Sequence, residues 1–312
     1  MGIDISKKKL DIGLRRDGRM IRLAQQPNSA AGIKAVIAQL KEIKPTLVAF
    51  EPTGGYERAL AQELSNASIR FAMVNARKAR DFARSGPYEA KTDKADALML
   101  AHYGETHNPA AYVMQSANQH KLEALRTRRG QVMQDLVAEK NRRELAHAAV
   151  QKYLTKSIKS LENQLDSIDA EMLAMVCDDP EWNRKRELLT SIVSIGPVTS
   201  LALLAQLPEA GSHGRKRIGR LAGLAPMAND SGDRHAPRHI AGGRTQVRSA
   251  LYMATMNATV HNPAIKVFYD RLIKAGKLPM VAMTAAMHKL LTVINAILKS
   301  GNPWEDRSVK PA

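Results

Sequence analysis

Apolar and polar positions alternate with a period of two, then of three to four, several times over the first hundred residues. Leu10, Ile12 and Leu14 alternate with Asp11, Gly13 and Arg15, which predicts a half-buried strand. The turn pair Asp17-Gly18 leads into Arg19-Met20-Ile21-Arg22-Leu23, and this predicts a hairpin. With a short strand around Asp4, three antiparallel strands stand in succession. Ala30 to Leu40 reads as a helix, Leu47 to Glu51 as a buried strand, Tyr56 to Leu64 as a second helix and Phe71 to Val74 as a fifth strand before a further helix.

Three strands, helix, strand, helix, strand, helix is the element order of an RNase H-like fold. Its first strand is central, and the strand ending at Glu51 would lie beside it. The pattern then changes. Between Pro109 and Pro180 there is no proline and a single glycine, Gly130, which permits very long helices. Leu154, Ile158, Leu161, Leu165, Ile168, Met172 and Met175 recur by fours and threes, a heptad seam suited to a coiled coil or an antiparallel helix pair and to association of protomers. From Trp182 the chain becomes helical and rich in Gly and Arg. Ser191 to Ala202 reads as helix, Gly196-Pro197 turn, helix: a helix-hairpin-helix-like segment whose backbone N–H groups would face a phosphate.

The expected fold class is therefore α/β plus all-α. An RNase H-like domain spans 1–108, a long helical coiled-coil connector 109–180, and a helical C-terminal domain 181–312.

Charge narrows the partner. Lys and Arg number 47 against 30 Asp and Glu, a formal net charge of +17. No short block holds this excess, so a folded surface that meets a polyanion, DNA or RNA, is expected. Aromatic residues make up only 4% of the chain, which favours backbone contacts over base stacking on exposed rings. Cys177 is the only cysteine, so an intramolecular disulfide and a Cys-based zinc cluster are excluded, and a reducing cytoplasm, with the protein on the nucleoid, is expected. Asp4 and Lys7-Lys8-Lys9 stand where a leader would need apolar residues. His288 and Lys289 interrupt the apolar run Met280 to Leu298, and no membrane insertion is expected.

Four carboxylates are the candidate chemistry. Asp4 sits in Gly-Ile-Asp-Ile-Ser, Glu51 ends the run Leu47 to Phe50, and Asp93 and Asp96 lie three apart, on one face if helical. Such hard oxygen ligands suit Mg2+ or Mn2+, and two ions roughly 4 Å apart can clamp both oxygens of a phosphoryl transfer. Plainer roles are open to each alone: Asp93 and Asp96 would complement a helix dipole behind a Thr92 cap, and a strand-end Asp is commonly solvated.

Taken together, Gly2-Ile3-Asp4-Ile5-Ser6-Lys7, Glu51-Pro52-Thr53-Gly54-Gly55-Tyr56, Ala90-Lys91-Thr92-Asp93-Lys94-Ala95-Asp96-Ala97 and Leu221-Ala222-Gly223-Leu224-Ala225-Pro226 resemble one family. The chain is similar to insertion-sequence transposases with an Asp-Glu-Asp-Asp RuvC-like domain, relatives of the pilin-gene invertases that include bridge-RNA-guided recombinases. The resemblance runs through Gly301-Asn302-Pro303-Trp304. It implies that Asp4, Glu51, Asp93 and Asp96 bind Mg2+ or Mn2+, and that Ser231, in Asn229-Asp230-Ser231-Gly232, is a nucleophile that becomes covalently linked to DNA. Without it, Ser231 is a polar residue in a turn.

The implied partners are donor and target DNA, a structured guide RNA, and further copies of the chain in a dimer or tetramer. Arg77, Lys78, Arg80, Arg84 and Lys91 would track a backbone entering the carboxylate site, and Gly196 would meet a phosphate. Arg215, Lys216, Arg217 and Arg220 before Ser231, and Arg234, Arg238, Arg244 and Arg248 after it, would hold phosphates. His235 and His239 have helical ligand spacing, but Pro237 between them argues against a metal role. The sequence departs from the family pattern in placing so few residues ahead of Asp4, which would clip the first strand. A hydrolytic RuvC-like nuclease or junction resolvase, and a non-enzymatic basic nucleic-acid-binding protein, are the competing readings.

Overall fold

A computed structural model describes residues 1–86, 93–228, 230 and 238–305, with Asp93 and Lys94 described as backbone only. The chain divides into two units, 1–115 and 116–312.

In the first unit, β1 (Gly2–Ile5), β2 (Lys9–Arg16), β3 (Arg19–Arg22) and the short β4 (Gln26–Pro27) precede α1 (Ala30–Ile43). Then come β5 (Val48–Phe50), α2 (Arg58–Asn66), β6 (Phe71–Met73), α3 (Ala76–Ser85) and α4 (Asp93–His107). The sheet order is β3-β2-β1-β5-β6, with β4 beside β2, so β1 is central as the element order requires. Despite its shortness, β1 pairs antiparallel with all four residues from Leu10 to Gly13 and parallel with β5.

The two faces of this sheet do different jobs, and strand periodicity sorts them. Ile3, Ile5, Leu10, Ile12, Leu14, Val48 and Phe50 point to one side, where Ile33, Val36, Leu40, Leu60 and Leu64 of α1 and α2 close the main core. Each such fully buried side chain contributes roughly 1.5–3 kcal/mol. The other side carries the residues in between, and α4 covers it. Gly2 and Gly13 are register partners there, and a Cβ on either would meet the α4 backbone: 2.2 Å from the Ala97 carbonyl oxygen at Gly2, and 2.8 Å from Ala97 and Leu98 at Gly13. Only glycine admits a helix this close.

The unit extends beyond α4. Tyr112 donates its backbone N–H to the Phe71 carbonyl at 2.7 Å and packs its ring on Phe71, and Met114 joins the same core.

The second unit begins with α5 (Ala117–Glu144) and α6 (Ala148–Cys177). They lie antiparallel, as the ion pairs Lys121–Glu171, Arg129–Asp169 and Lys140–Glu162 require. Ile158, Leu165 and Met172 of the heptad seam are buried within the chain, the first two against Val132 and Leu136 of α5. Of the two partners the sequence left open for this seam, another protomer or an antiparallel helix of the same chain, α5 is the one seen to pack on it.

Gln119 and Leu122 of α5, with Met172 and Val176 of α6, enter the core of the C-terminal helices. Gln119 Nε2 donates to the Leu204 and Ala205 carbonyls at 3.2 and 2.9 Å. This contact ties the connector to the C-terminal elements. They are α7 (Pro180–Thr190), α8 (Pro197–Gln206), α9 (Arg215–Leu221), the ribbon β7 (Pro226–Met227) and β8 (His239–Ile240), α10 (Thr245–His261), α11 (Pro263–Lys274) and α12 (Pro279–Ser300).

Ser191 to Ile195 forms the turn between α7 and α8, not a helix as its sequence suggested. Ile192 and Ile195 are apolar pegs buried in the core, and Ser194 takes the left-handed conformation, φ 91°, that the reversal needs. Among described helices α12 alone is long and apolar enough to cross a membrane. Its apolar face is the core itself, through Ala282, Ala286, Leu290, Leu291 and Ile294.

Candidate active site

Asp4 and Glu51 stand side by side at the C-terminal ends of two neighbouring strands in the middle of the first unit's sheet. Ile3 is opposite Phe50 in the parallel register, so Asp4 and Glu51 are the next residues along two adjacent strands. Both lie on the α4 side, because each is two residues beyond a position that α4 touches: Gly2 for Asp4 and Ala49 for Glu51. α4 runs opposite to these strands. Gly104 packs near Leu47 and Ala49, and Ala97 to Ala101 lie over Gly2, so the helix's first turn, with Asp93 and Asp96, is carried to the strand ends.

Electrostatics report the same closeness. Burial raises the Glu51 pKa above the ordinary carboxylate value, the Asp96 charge raises it further, and Arg80 pulls it back only in part. A carboxylate held half-buried beside a second one favours a bound cation or a proton. Among the described residues no three His, Cys, Asp or Glu side chains gather closely enough to hold a metal ion; the Asp93 side chain lies outside the described residues. Asp4, Glu51 and Asp96 carry hard carboxylate oxygens, the donor type a divalent cation takes, without closing into a three-ligand cluster.

α3 brings positive charge beside these strand ends. β6 pairs with β5, and Asn75 caps the next helix by accepting from the Arg77 and Lys78 N–H groups at 3.0 and 3.4 Å. Only Ala79 of α3 is buried, so Arg77, Lys78, Arg80 and Arg84 are all exposed. Lys91 lies outside the described residues.

Sequence reasoning passed over two supporting carboxylates. Asp11 is buried, faces Asp4 across the β1–β2 ladder, accepts from Gln25 Nε2 at 2.7 Å and has Lys9 Nζ at 3.5 Å. The antiparallel register of Asp4 and Asp11 was its only signal. Glu57, also buried, accepts from the backbone N–H groups of Thr53 and Gly55 at 2.9 Å each and so ties down the loop after Glu51. Burial would raise its pKa, but backbone donors, from Glu57 itself, Thr53 and Gly55, outweigh burial and hold it below the usual value. Its stabilisation is present above the unfolded carboxylate pKa and is lost as the pH falls through the lower folded value. Replacing Glu57 by Ala is expected to cost about 2 kcal/mol at neutral pH and less as the pH drops, which denaturant melts at two pH values will measure.

In the second unit the basic residues divide by what they touch. Arg215, Lys216, Arg217, Arg220 and Arg238 are exposed. Arg244 instead forms a two-pronged ion pair with Glu209, at 2.5 and 2.6 Å, and bonds the Gln206 carbonyl. Arg248 donates to the Gly242 carbonyl at 2.9 Å, where Gly223 and Gly243 cross so closely that neither could carry a Cβ. These two arginines, expected to hold phosphates, make bonds that hold the fold. Gly196 opens α8, is exposed, and makes no side-chain cap, leaving the helix's first N–H groups to other acceptors. Ser231, Arg234 and His235 lie outside the described residues; His239 is exposed on β8.

Both units match known families. Residues 1–146 match the model of the IS110-type DEDD transposases, described as Transposase, and residues 186–270 that of the Transposase IS116/IS110/IS902 family. The pilin gene-inverting protein of Moraxella bovis is 31% identical over 262 residues, which cover 83% of this chain and 81% of that protein. The chain belongs to the IS110 family of transposases. The pilin gene-inverting protein of Moraxella lacunata is equally similar, at 31% over the same coverage. An uncharacterised 43.6 kDa protein of insertion element IS110 in Streptomyces coelicolor is 27% identical over 159 residues, 49% of this chain and 38% of that protein. As an IS110 transposase the chain is a DNA recombinase, and transposases of its DEDD type use a divalent metal.

Proposed function

We propose that this IS110 transposase moves an insertion sequence by a serine-linked exchange of DNA strands, with Mg2+ or Mn2+ held by Asp4, Glu51, Asp93 and Asp96 of a RuvC-like domain. The observation that carries this reading is the meeting of Asp4, Glu51 and the start of α4 at neighbouring strand ends, with Glu51 raised by burial and by Asp96. Ser231 Oγ attacks a backbone phosphorus, a serine–phosphate bond forms, and the bond from phosphorus to one sugar oxygen breaks. The serine's proton leaves to a base, and the departing sugar oxygen takes one up as a hydroxyl. A hydroxyl of a second DNA strand then attacks the phosphoserine, which rejoins DNA and frees the serine without ATP. When bound, a divalent metal at the carboxylate edge supplies polarisation of the phosphate oxygens.

Arg77, Lys78, Arg80 and Arg84 lead the backbone past that edge, while Arg215, Lys216, Arg217, Arg220 and Arg238 hold phosphates in the second unit. Gly196, in a helix-hairpin-helix-like turn, offers N–H groups to another. A structured guide RNA selects donor and target, and two or four copies assemble on DNA in the cytoplasm. Support for RNA and assembly is the family resemblance and the net charge of +17.

The test is strand exchange by the purified protein, with its co-purifying RNA, on a supercoiled plasmid carrying the element's ends. Exchange in Mg2+, abolished by chelation and restored by adding metal back, is expected. Undiminished exchange in excess chelator would refute the metal assignment.

A further inference from the structure

The second unit contains an open groove of about 1230 Å³ between α9, the β7–β8 ribbon and α12. Its charge is one-sided: Arg215, Lys216, Arg220 and Arg238 line it, and no Asp or Glu is among the described lining residues. Its floor is different. Met227, Ile240, Met280 and Val281 present apolar side chains, and Met280 and Val281 are 62% and 53% exposed. Phe268 adds a ring already covered by Lys289 Nζ, 4.6 Å from its centroid.

This combination selects against the outside of a duplex. A double helix offers phosphates and leaves its base faces stacked, so an apolar floor would desolvate phosphate oxygens for no return. An unpaired strand has both surfaces to offer, charged phosphates and the apolar faces of unstacked bases. His288 sits within the groove, packed so closely on α9 that a Cβ on Gly219 would come within 2.9 Å of its Nε2. Burial first and Arg215 second lower its pKa and keep the ring neutral, so it suits a base edge better than a phosphate.

We infer that this groove binds an unpaired polynucleotide strand, with phosphates on the arginine-lined rim and bases against the apolar floor of α12 and the ribbon. The inference rests on the proposed reading that this enzyme exchanges DNA strands, a reaction that requires unpaired segments to be held apart from the duplex. It adds a place and a substrate form which the carboxylate edge does not provide.

The experiment measures anisotropy of labelled oligonucleotides of about 15 nucleotides with the full-length protein: single-stranded DNA, RNA of the same sequence, and the DNA duplex. The double variant Met280→Gln/Val281→Asn removes apolar contact at two exposed positions without changing charge. We expect it to bind one or both single strands about tenfold more weakly and the duplex within about twofold, with an unchanged circular dichroism spectrum. Which single-strand arm weakens tells DNA from RNA. Unchanged single-strand affinity, or an equal loss on duplex, would overturn the inference. So would a change in sedimentation alone, which would assign the floor to a second copy of the chain. Wild-type protein that bound no nucleic acid would bring down the strand-exchange reading as well, whereas normal duplex binding with an insensitive groove would bring down only this inference.

Discussion

Glu51→Gln is expected to abolish strand exchange and at the same time to raise the melting temperature of the metal-free protein. Both effects come from one cause. Glu51 is half-buried beside Asp96, and its folded pKa lies above the ordinary carboxylate value, so the folded chain binds that proton more tightly than the unfolded chain does. Its contribution is favourable below the unfolded pKa and is lost as the pH rises through the folded one, leaving a repelled, partly desolvated charge at neutral pH. Glutamine removes the charge and keeps the shape. A gain of roughly 1–3 °C at pH 7.5 is expected, shrinking toward pH 4. Exchange should fall roughly a thousandfold or more, because several kcal/mol of metal-based stabilisation depend on the ligand set. Duplex binding, which uses other residues, should stay within about twofold. A Glu51→Gln protein that recombined at the wild-type rate would remove Glu51 from the site, and one that melted lower would show that its charge is satisfied by something other than a metal.

The second large effect concerns Ser231. If its hydroxyl attacks the phosphate, a reaction stopped by denaturant should contain DNA covalently attached to protein, and peptide mapping should place the adduct on Ser231. Ser231→Ala should lose adduct and exchange together while it retains DNA binding, since one hydroxyl is removed and no basic contact is touched. Full cleavage by the Ala variant would point to water as the nucleophile at the carboxylate edge and to a hydrolytic nuclease.

The strands and their order were legible because the first unit obeys its periodicity: Leu10, Ile12 and Leu14 face one core, and the residues between them face α4. The convergence of Asp4 with Glu51 came with that order, since it puts two strand ends side by side. What the sequence concealed was set by tertiary partners. The run Ser191 to Ile195 has the apolar content of a helix, yet its isoleucines are buried as the pegs of a turn. The α6 heptad looks the same whether its partner is another protomer or α5, and only the three-dimensional pairing shows that α5 takes it. Arg244 and Arg248 read as phosphate contacts from their charge alone, but Glu209 and the Gly242 carbonyl engage them. Glu57 gave no signal, because its role lies in two backbone N–H groups upstream.

The bare backbone of Gly2 and Gly13 works as a spacer gauge between the sheet and α4. A Cβ at Gly13 would lie 2.8 Å from the α4 backbone, where ordinary contact begins at 3.4 Å, so even one methyl would push the helix outward by more than half an ångström. The proposed metal site would tolerate displacements of only about that size, and Asp93 and Asp96 on α4 would move while Asp4 and Glu51 stayed behind. Under that proposal two residues with no functional group would set the tolerance of the site as strictly as its ligands.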